Sequence, residues 1–390
     1  MIHVLRNAEV YAPEPRGLLD LIVAGERIAW MGDALPALPT VLEADETDLA
    51  GRRVVPGFID AHSHLTGGGG EAGPHTRVPP LAPSTLARAG ITTAVGVLGT
   101  DDVTRSTAEL VTTARGLTQL GLTALCYTGG YHLPPRTLTG SVRGDIALVD
   151  PIIGVGEIAI SDHRSSQPTL DELLRLASEA HVAGLMSGKA GILHLHVGDG
   201  PRGLDLVRDA LDRSEIPARV FNPTHVNRRR ALFEEALDLA DRGVTIDVTA
   251  FPVAEGEDAW DAAEALVRYW DAGLPHERIT ISSDGGGCLP SFDADGRVTG
   301  FEVGSPAALA ATLSRLLAEG HSLEQALPPF TANPAGLLRL CTKGRIAVGM
   351  DADLLVLDAK GGIHDVMARG RWHVRHGRAE VRGPFQGRPE

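Results

Sequence analysis

Two histidines, His62 and His64, close the apolar run VVPGFIDAHSH at residues 54–64. Residues i and i+2 of a strand project from the same face, so the two imidazoles converge on one point. A borderline-soft divalent metal needs that convergence. A glycine-rich loop and a single carboxylate, Glu71, follow at once. The order of apolar strand, paired histidines, flexible loop and acid is that of a catalytic metal site. Alone the pair is modest evidence, because fifteen histidines in 390 residues also produce such a spacing on a surface by chance.

Further polar residues close other apolar runs. Tyr131 follows the run 122–128, Glu157 sits inside IIGVGEIAI, and Arg164 ends the SDHR that comes next. GILHLHVGD carries His194 and His196, NPTHVNR carries His225 and Arg228, and ITISSDGGG carries Asp284. An unpaired glutamate is rarely buried, so Glu157 must face a cation, bind a proton or lie outside a strand. His194 and His196 share a face; His196, nearer the strand's end, is the preferred ligand, with His194 as the alternative. His225 reads as a loop histidine or as a ligand, and Asn227 and Arg228 beside it favour the second. Asp284 before three glycines reads as a turn residue or as a ligand at a strand end. His75, His132, His163 and His181 are assigned to the surface or to outer positions.

The elements that must position these groups show two textures. Residues 1–52 and 342–390 read as short strands and turns, and together they predict a small β-sandwich built from both termini. Between them, residues 53–341 alternate strands with amphipathic helices. The candidate strands are 54–60, 91–98, 122–128, 152–160, 191–197, 217–225, 244–250 and 278–284, with helices such as 169–186 and 230–243. Eight such units predict an α/β fold with a (β/α)8 barrel of the TIM type, whose active site forms at the C-terminal strand ends. A doubly wound sheet is the alternative. The polar residues gather where a barrel would bring them together.

Composition narrows the function. A net charge of −14 argues against nucleic acid or an anionic membrane as partner. Three scattered cysteines make no disulfide scaffold and fit a reducing compartment. No charged-then-apolar leader and no long uninterrupted apolar stretch is found, so a cytoplasmic location is expected.

The constellation resembles the amidohydrolase superfamily, and within it the isoaspartyl dipeptidase (β-aspartyl peptidase) family. The resemblance rests on PGFIDAHSHLTGGGGEAGPHTR, VLGTDDVTRS, YTGGYHLPPRTLTGSV, AISDHRSSQP, HLHVGDG, PTHVNR, TIDVT and SSDGGG, in the family's order over residues 56–290. GMDADLLVLD near residue 350 resembles the superfamily's closing β segment. The resemblance implies two divalent metal ions, zinc, held by His62, His64, Glu157, His196, His225 and Asp284. They would lower the pKa of a water for attack on the isopeptide amide of a β-aspartyl dipeptide. It implies that Asp284 moves the proton, that Tyr131 polarises the carbonyl, and that Glu71, Thr100, Arg164, Arg228 and Cys288 bind the substrate. It also implies a homo-oligomer, an octamer in the family. Two departures stand out. The family has a carboxylated lysine where this chain has Glu157, preceded by one extra residue, and a bulge at Gly156 is expected to bring the shorter acid within reach. Cys288 replaces a serine and donates more weakly. Hydrolysis of another N-acyl amino acid or a cyclic amide is the alternative activity, and a scaffold without metals the alternative class.

Overall fold

The structure, a computed structural model, describes residues 1–386 other than 36, 37, 40, 293 and 294, so the end of the segment 342–390 lies outside the described residues. Six parallel strands, Phe58–Ser63, Ile91–Gly96, Thr123–Thr128, Ile152–Ile160, Ile192–Val197 and Phe221–Thr224, hydrogen-bond to one another in chain order. A parallel pair, Ile246–Thr249 and Ile279–Ser282, packs between the sixth strand and the first. There Ser63 bridges Gly285 in parallel, and the His64 N–H donates to the Gly285 carbonyl at 2.8 Å. The parallel sheet therefore curls back on its first strand. The order never reverses, which removes the switch point that a doubly wound sheet requires.

The strands are buried along almost their whole length and read as apolar runs because both faces are covered. Helices such as Leu170–Ser187 and Arg230–Asp241 lie between them, close to the predicted ranges. A capping box of Thr169 and Glu172 starts the former. The predicted strand 54–60 is two strands in two sheets. Arg53–Pro56 pairs with Leu354–Leu357 and Ile2–Tyr11, whereas Phe58–Ser63 starts the curled sheet. An apolar run cannot say which sheet it joins; Pro56-Gly57 marks the break.

Nine strands from the two termini form the second large sheet. Five lie between Ile2 and Pro56, and four between Leu354 and Ala379. Eight of these strands follow one another in a single pairing path, and the ninth, Ala44–Asp48, joins it alongside Ile2–Tyr11. This sheet has its own core, including Leu5, Leu21, Ile28, Val54, Leu354 and Trp372. An antiparallel hairpin, Cys288–Phe292 with Val298–Val303, follows the last strand of the curled sheet. Among the described residues no helix is long and apolar enough to cross a membrane.

Candidate active site

Glu157 lies among four imidazoles. Its carboxylate is 3.4 Å from His64 Nε2, 3.1 Å from His196 Nδ1, and 3.6 Å from both His62 Nε2 and His225 Nε2. Asp284 Oδ1 stands 3.5 Å from His62 Nε2 and 3.2 Å from His64 Nε2. All six residues are buried. Ligand atoms of His62, His64 and Asp284 form one group within metal-binding reach, and those of His62, Glu157 and His225 form a second. The fourth strand carries an irregularity opposite Leu193–Leu195, where Val155 to Ile158 spans one residue more than its partner. This is the expected position of the bulge, and it turns Glu157 into the cluster. A Cβ on Gly156 would lie 2.8 Å from that of His194, and one on Gly287 only 2.2 Å from Asp284 Oδ1. Both glycines let the backbone approach the cluster closely.

The donor set fits a cation. His62 Nε2 and Asp284 Oδ1 are buried and make no hydrogen bond, although they are neighbours. Unpaired buried polar atoms are costly, and here they face a common point.

Outer partners decide which imidazole nitrogen is available. Asn222 Nδ2 donates to the Thr245 carbonyl at 2.8 Å, so its oxygen faces His194 Nδ1 at 2.7 Å and accepts from it. His194 Nε2 is then the acceptor for His62 Nδ1–H at 2.7 Å, leaving His62 Nε2 toward the cluster. His194 is thus a brace at the back of His62, stacked on Tyr127. The alternative that made it the cluster histidine in place of His196 does not match this position. On the other side, Asp162 faces His196 Nε2 at 3.0 Å. That leaves His196 Nδ1 toward Glu157, at 3.1 Å, and the Tyr131 hydroxyl. His225 Nδ1 faces Thr249 Oγ1 at 2.8 Å. These are the carboxylate and neutral partners that orient metal-bound histidines. Sequence reading missed Asp162, Asn222 and Thr249; the only signal was Asp162 within SDHR.

Electrostatics follow from this packing. Burial pulls His62 down, but the charge of Glu157 and then Asp284 raise it to about 9. Burial, and then the charge of His62, lower His194 to about 3, which keeps it neutral. Burial works against Glu157 and Asp284, yet the surrounding imidazoles hold both well below the carboxylate range. Burial and Glu157 push Tyr131 up, so it stays a phenol and a hydrogen-bond donor.

The cluster opens into a cavity of about 670 Å³ lined by Glu71, Thr100, Tyr131, Arg164, Arg228 and Cys288. All the predicted site residues are therefore brought to one place. Tyr131 OH lies 2.8 Å from His196 Nδ1. Arg164 forks onto Asp162 with contacts of 3.0 and 2.7 Å and stands 3.7 Å from Glu71. Thr100 Oγ1 donates to Glu71 at 3.0 Å. Arg228 Nε is 3.9 Å from Asp199. Burial and Glu71 push the Cys288 thiol up to about 11. A residue not singled out from sequence, Arg105, is buried and donates to the carbonyls of Thr66, Gly68 and Val78. It pins the glycine-rich loop that carries Glu71.

Residues 53–373 match the amidohydrolase family. The crystal structure of a β-aspartyl dipeptidase from Fervidobacterium islandicum in complex with a β-Asp-Leu dipeptide is 42% identical, covers 99% of both chains and gives a TM-score of 0.94. An imidazolonepropionase of Streptomyces griseus is 28% identical over 90% of this chain and 89% of its own. The enamidase structure, 17% identical with a TM-score of 0.66, shares the fold.

Proposed function

The chain belongs to the amidohydrolase family, in its β-aspartyl dipeptidase branch, and is a hydrolase of amide bonds; from that premise we propose that it hydrolyses β-aspartyl dipeptides. The family implies a TIM barrel, and the curled parallel sheet agrees with it. The observation that carries the substrate is the charge pattern of the cavity beside the histidine cluster. A β-aspartyl dipeptide has one ammonium and two carboxylates, and Glu71 with Arg164 and Arg228 is the complementary set. Arginine pairs bidentately with carboxylate through its planar fork.

His62, His64, Glu157, His196, His225 and Asp284 would hold two divalent metal ions, zinc by ligand type; the group of His62, His64 and Asp284 and that of His62, Glu157 and His225 share His62, and His196 stands beside Glu157. Such ions, when bound, lower the pKa of a water and polarise a carbonyl. The remaining work falls to the protein. Glu71, supported by Thr100, takes the substrate ammonium, while Arg164 and Arg228 take the carboxylates. Tyr131, held protonated, donates a hydrogen bond to the carbonyl oxygen as negative charge develops there. Asp284 accepts a proton from the attacking water and returns it to the departing amine nitrogen. One amide bond breaks, and the products are aspartate and a free amino acid. The reading also places residues 1–52 and 342–390 as a β unit carrying the catalytic 53–341, in a cytoplasmic homo-oligomer.

The imidazolonepropionase relatives favour a second reading, hydrolysis of a cyclic amide. A panel of β-Asp-Leu, N-acetyl amino acids and dihydroorotate, given to metal-reconstituted protein, separates the two. Turnover of β-Asp-Leu well above the others is expected; turnover of a cyclic amide with β-Asp-Leu untouched would replace the proposal.

A further inference from the structure

A second group of metal-type ligands lies outside the cavity, in the terminal sheet. His364 is on the strand Ile363–Ala368, which pairs antiparallel with Arg371–Arg375. The pair Val366↔Val374, with the Gly377 N–H donating to the His364 carbonyl at 2.9 Å, sets His364 opposite His376. Their rings lie 5.8 Å apart at 80°. Asp365 enters between them. Its Oδ1 accepts the backbone N–H of His376, and its Oδ2 lies 3.0 Å from His364 Nδ1. That nitrogen is buried yet makes no hydrogen bond, so carboxylate and imidazole are close without being aligned as donor and acceptor. His376 has a φ of 52°, a left-handed conformation that brings its exposed ring back over the strand end. His376 and Gly377, with φ of 52° and 71°, form the two-residue hairpin turn between Arg375 and Arg378, which requires positive φ at both positions.

We propose that His364, Asp365 and His376 form an accessory site for a divalent transition metal ion, with zinc, nickel or copper as the chemical class. One ligand atom from each residue lies within 4.8 Å of the other two. Metal–nitrogen and metal–oxygen bonds of about 2.0–2.2 Å need donors somewhat closer than that. The exposed His376 ring supplies the movement, since neither the buried carboxylate nor the strand backbone has to shift. Two imidazoles with one carboxylate select borderline ions over calcium or magnesium, which prefer all-oxygen shells. Three protein ligands leave a further position to water, on the exposed side of His376. None of the three residues lines the catalytic cavity, so the site stands apart from the proposed chemistry. A metal there would tie the strand Ile363–Ala368 to the turn at His376 and stabilise the folded sheet by mass action.

The test uses the intact chain with its catalytic metals already in place. Zinc-loaded wild type and His376→Ala are dialysed against the same low free zinc, and bound metal is counted per chain. Wild type should hold one equivalent more than the variant. Copper added to the zinc-loaded protein should give an electron paramagnetic resonance spectrum with coupling to imidazole nitrogen. The variant should lose that coupling and the extra equivalent together, since one of the three ligands is gone. His376 is exposed, so its replacement leaves the fold intact; His364→Ala is the second lesion and should reproduce the loss. Equal metal content in wild type and His376→Ala, or nitrogen coupling unchanged by the substitution, overturns the proposal. Neither readout uses amide hydrolysis, so failure here is distinct from failure of the proposed function.

Discussion

The two sides of the histidine cluster are braced by different chemistry. At the back, His62 leans on His194, Asn222 and the Thr245 carbonyl, a chain of neutral groups buried in the curled sheet. At the mouth, His196 leans on Asp162, a carboxylate that also holds the Arg164 fork. The back brace touches nothing that a substrate would meet. The mouth brace joins an imidazole of the cluster to a guanidinium that faces the cavity. Fold alone sets the first, whereas the second couples the cluster to the groups proposed to bind substrate.

The largest effect is expected where the two sides meet. Glu157→Gln removes the one carboxylate shared by four imidazoles. Several kcal/mol of electrostatic stabilisation should go with it, lowering kcat by about a thousandfold or more. Metal counting beside kinetics checks this. A glutamine variant that keeps full metal content and activity would show that Glu157 unites nothing.

A matched pair of variants then separates the sides. Asp162→Asn removes the charge that orients His196 and pairs with Arg164, so metal affinity should fall and KM should rise, with kcat/KM down by about 100-fold. His194→Ala breaks only the back relay. Metal affinity should fall by about 10- to 100-fold while KM, measured at saturating metal, stays near wild type. If His194→Ala raises KM as much as Asp162→Asn does, the contrast between the braces is wrong.

The same contrast explains what could be read in the sequence. His62 and His64 were legible because a strand's period of two puts both on one face. Glu157 was legible as an ionisable residue in an otherwise apolar run. Among the two histidines of the fifth strand, position near the strand end pointed to His196, and the structure puts that one beside Glu157. The braces were not legible. His194 meets His62 across 132 positions of chain, and Asn222 meets His194 through cross-strand register, neither of which leaves a local pattern. The run 54–60 hid a change of sheet because burial on both faces erases the alternation that would have marked it. The pairing of the nine terminal strands likewise depends on contacts between the two ends of the chain.

Arg105 extends the mouth side of the comparison. It holds three carbonyls of the loop around Gly68, on which Glu71 sits, without reaching the histidines. Arg105→Gln should loosen the loop and raise KM by about tenfold, about 1.4 kcal/mol of lost binding, with kcat and metal content little changed. Loss of metal in this variant would tie the loop to the cluster itself.

The smallest effect tests the far edge of the mouth. Burial, and then the negative charge of Glu71, push the Cys288 thiol up to about 11. A raised pKa in an acid means that the charged thiolate is disfavoured, so at neutral pH Cys288 remains a protonated, weak donor. Alkylation by iodoacetamide should therefore reach exposed Cys341 first and Cys288 slowly, accelerating only as the pH climbs toward 11. Buried Cys126, pushed up to about 12, should resist throughout. Glu71→Gln removes the adjacent charge and should shift the Cys288 profile to lower pH. Cys288→Ser should change KM only a few-fold, since a stronger donor of similar size replaces the thiol, and should leave metal content alone. A Cys288 profile indifferent to Glu71→Gln would separate the thiol from the acid and from the ammonium site proposed around Glu71.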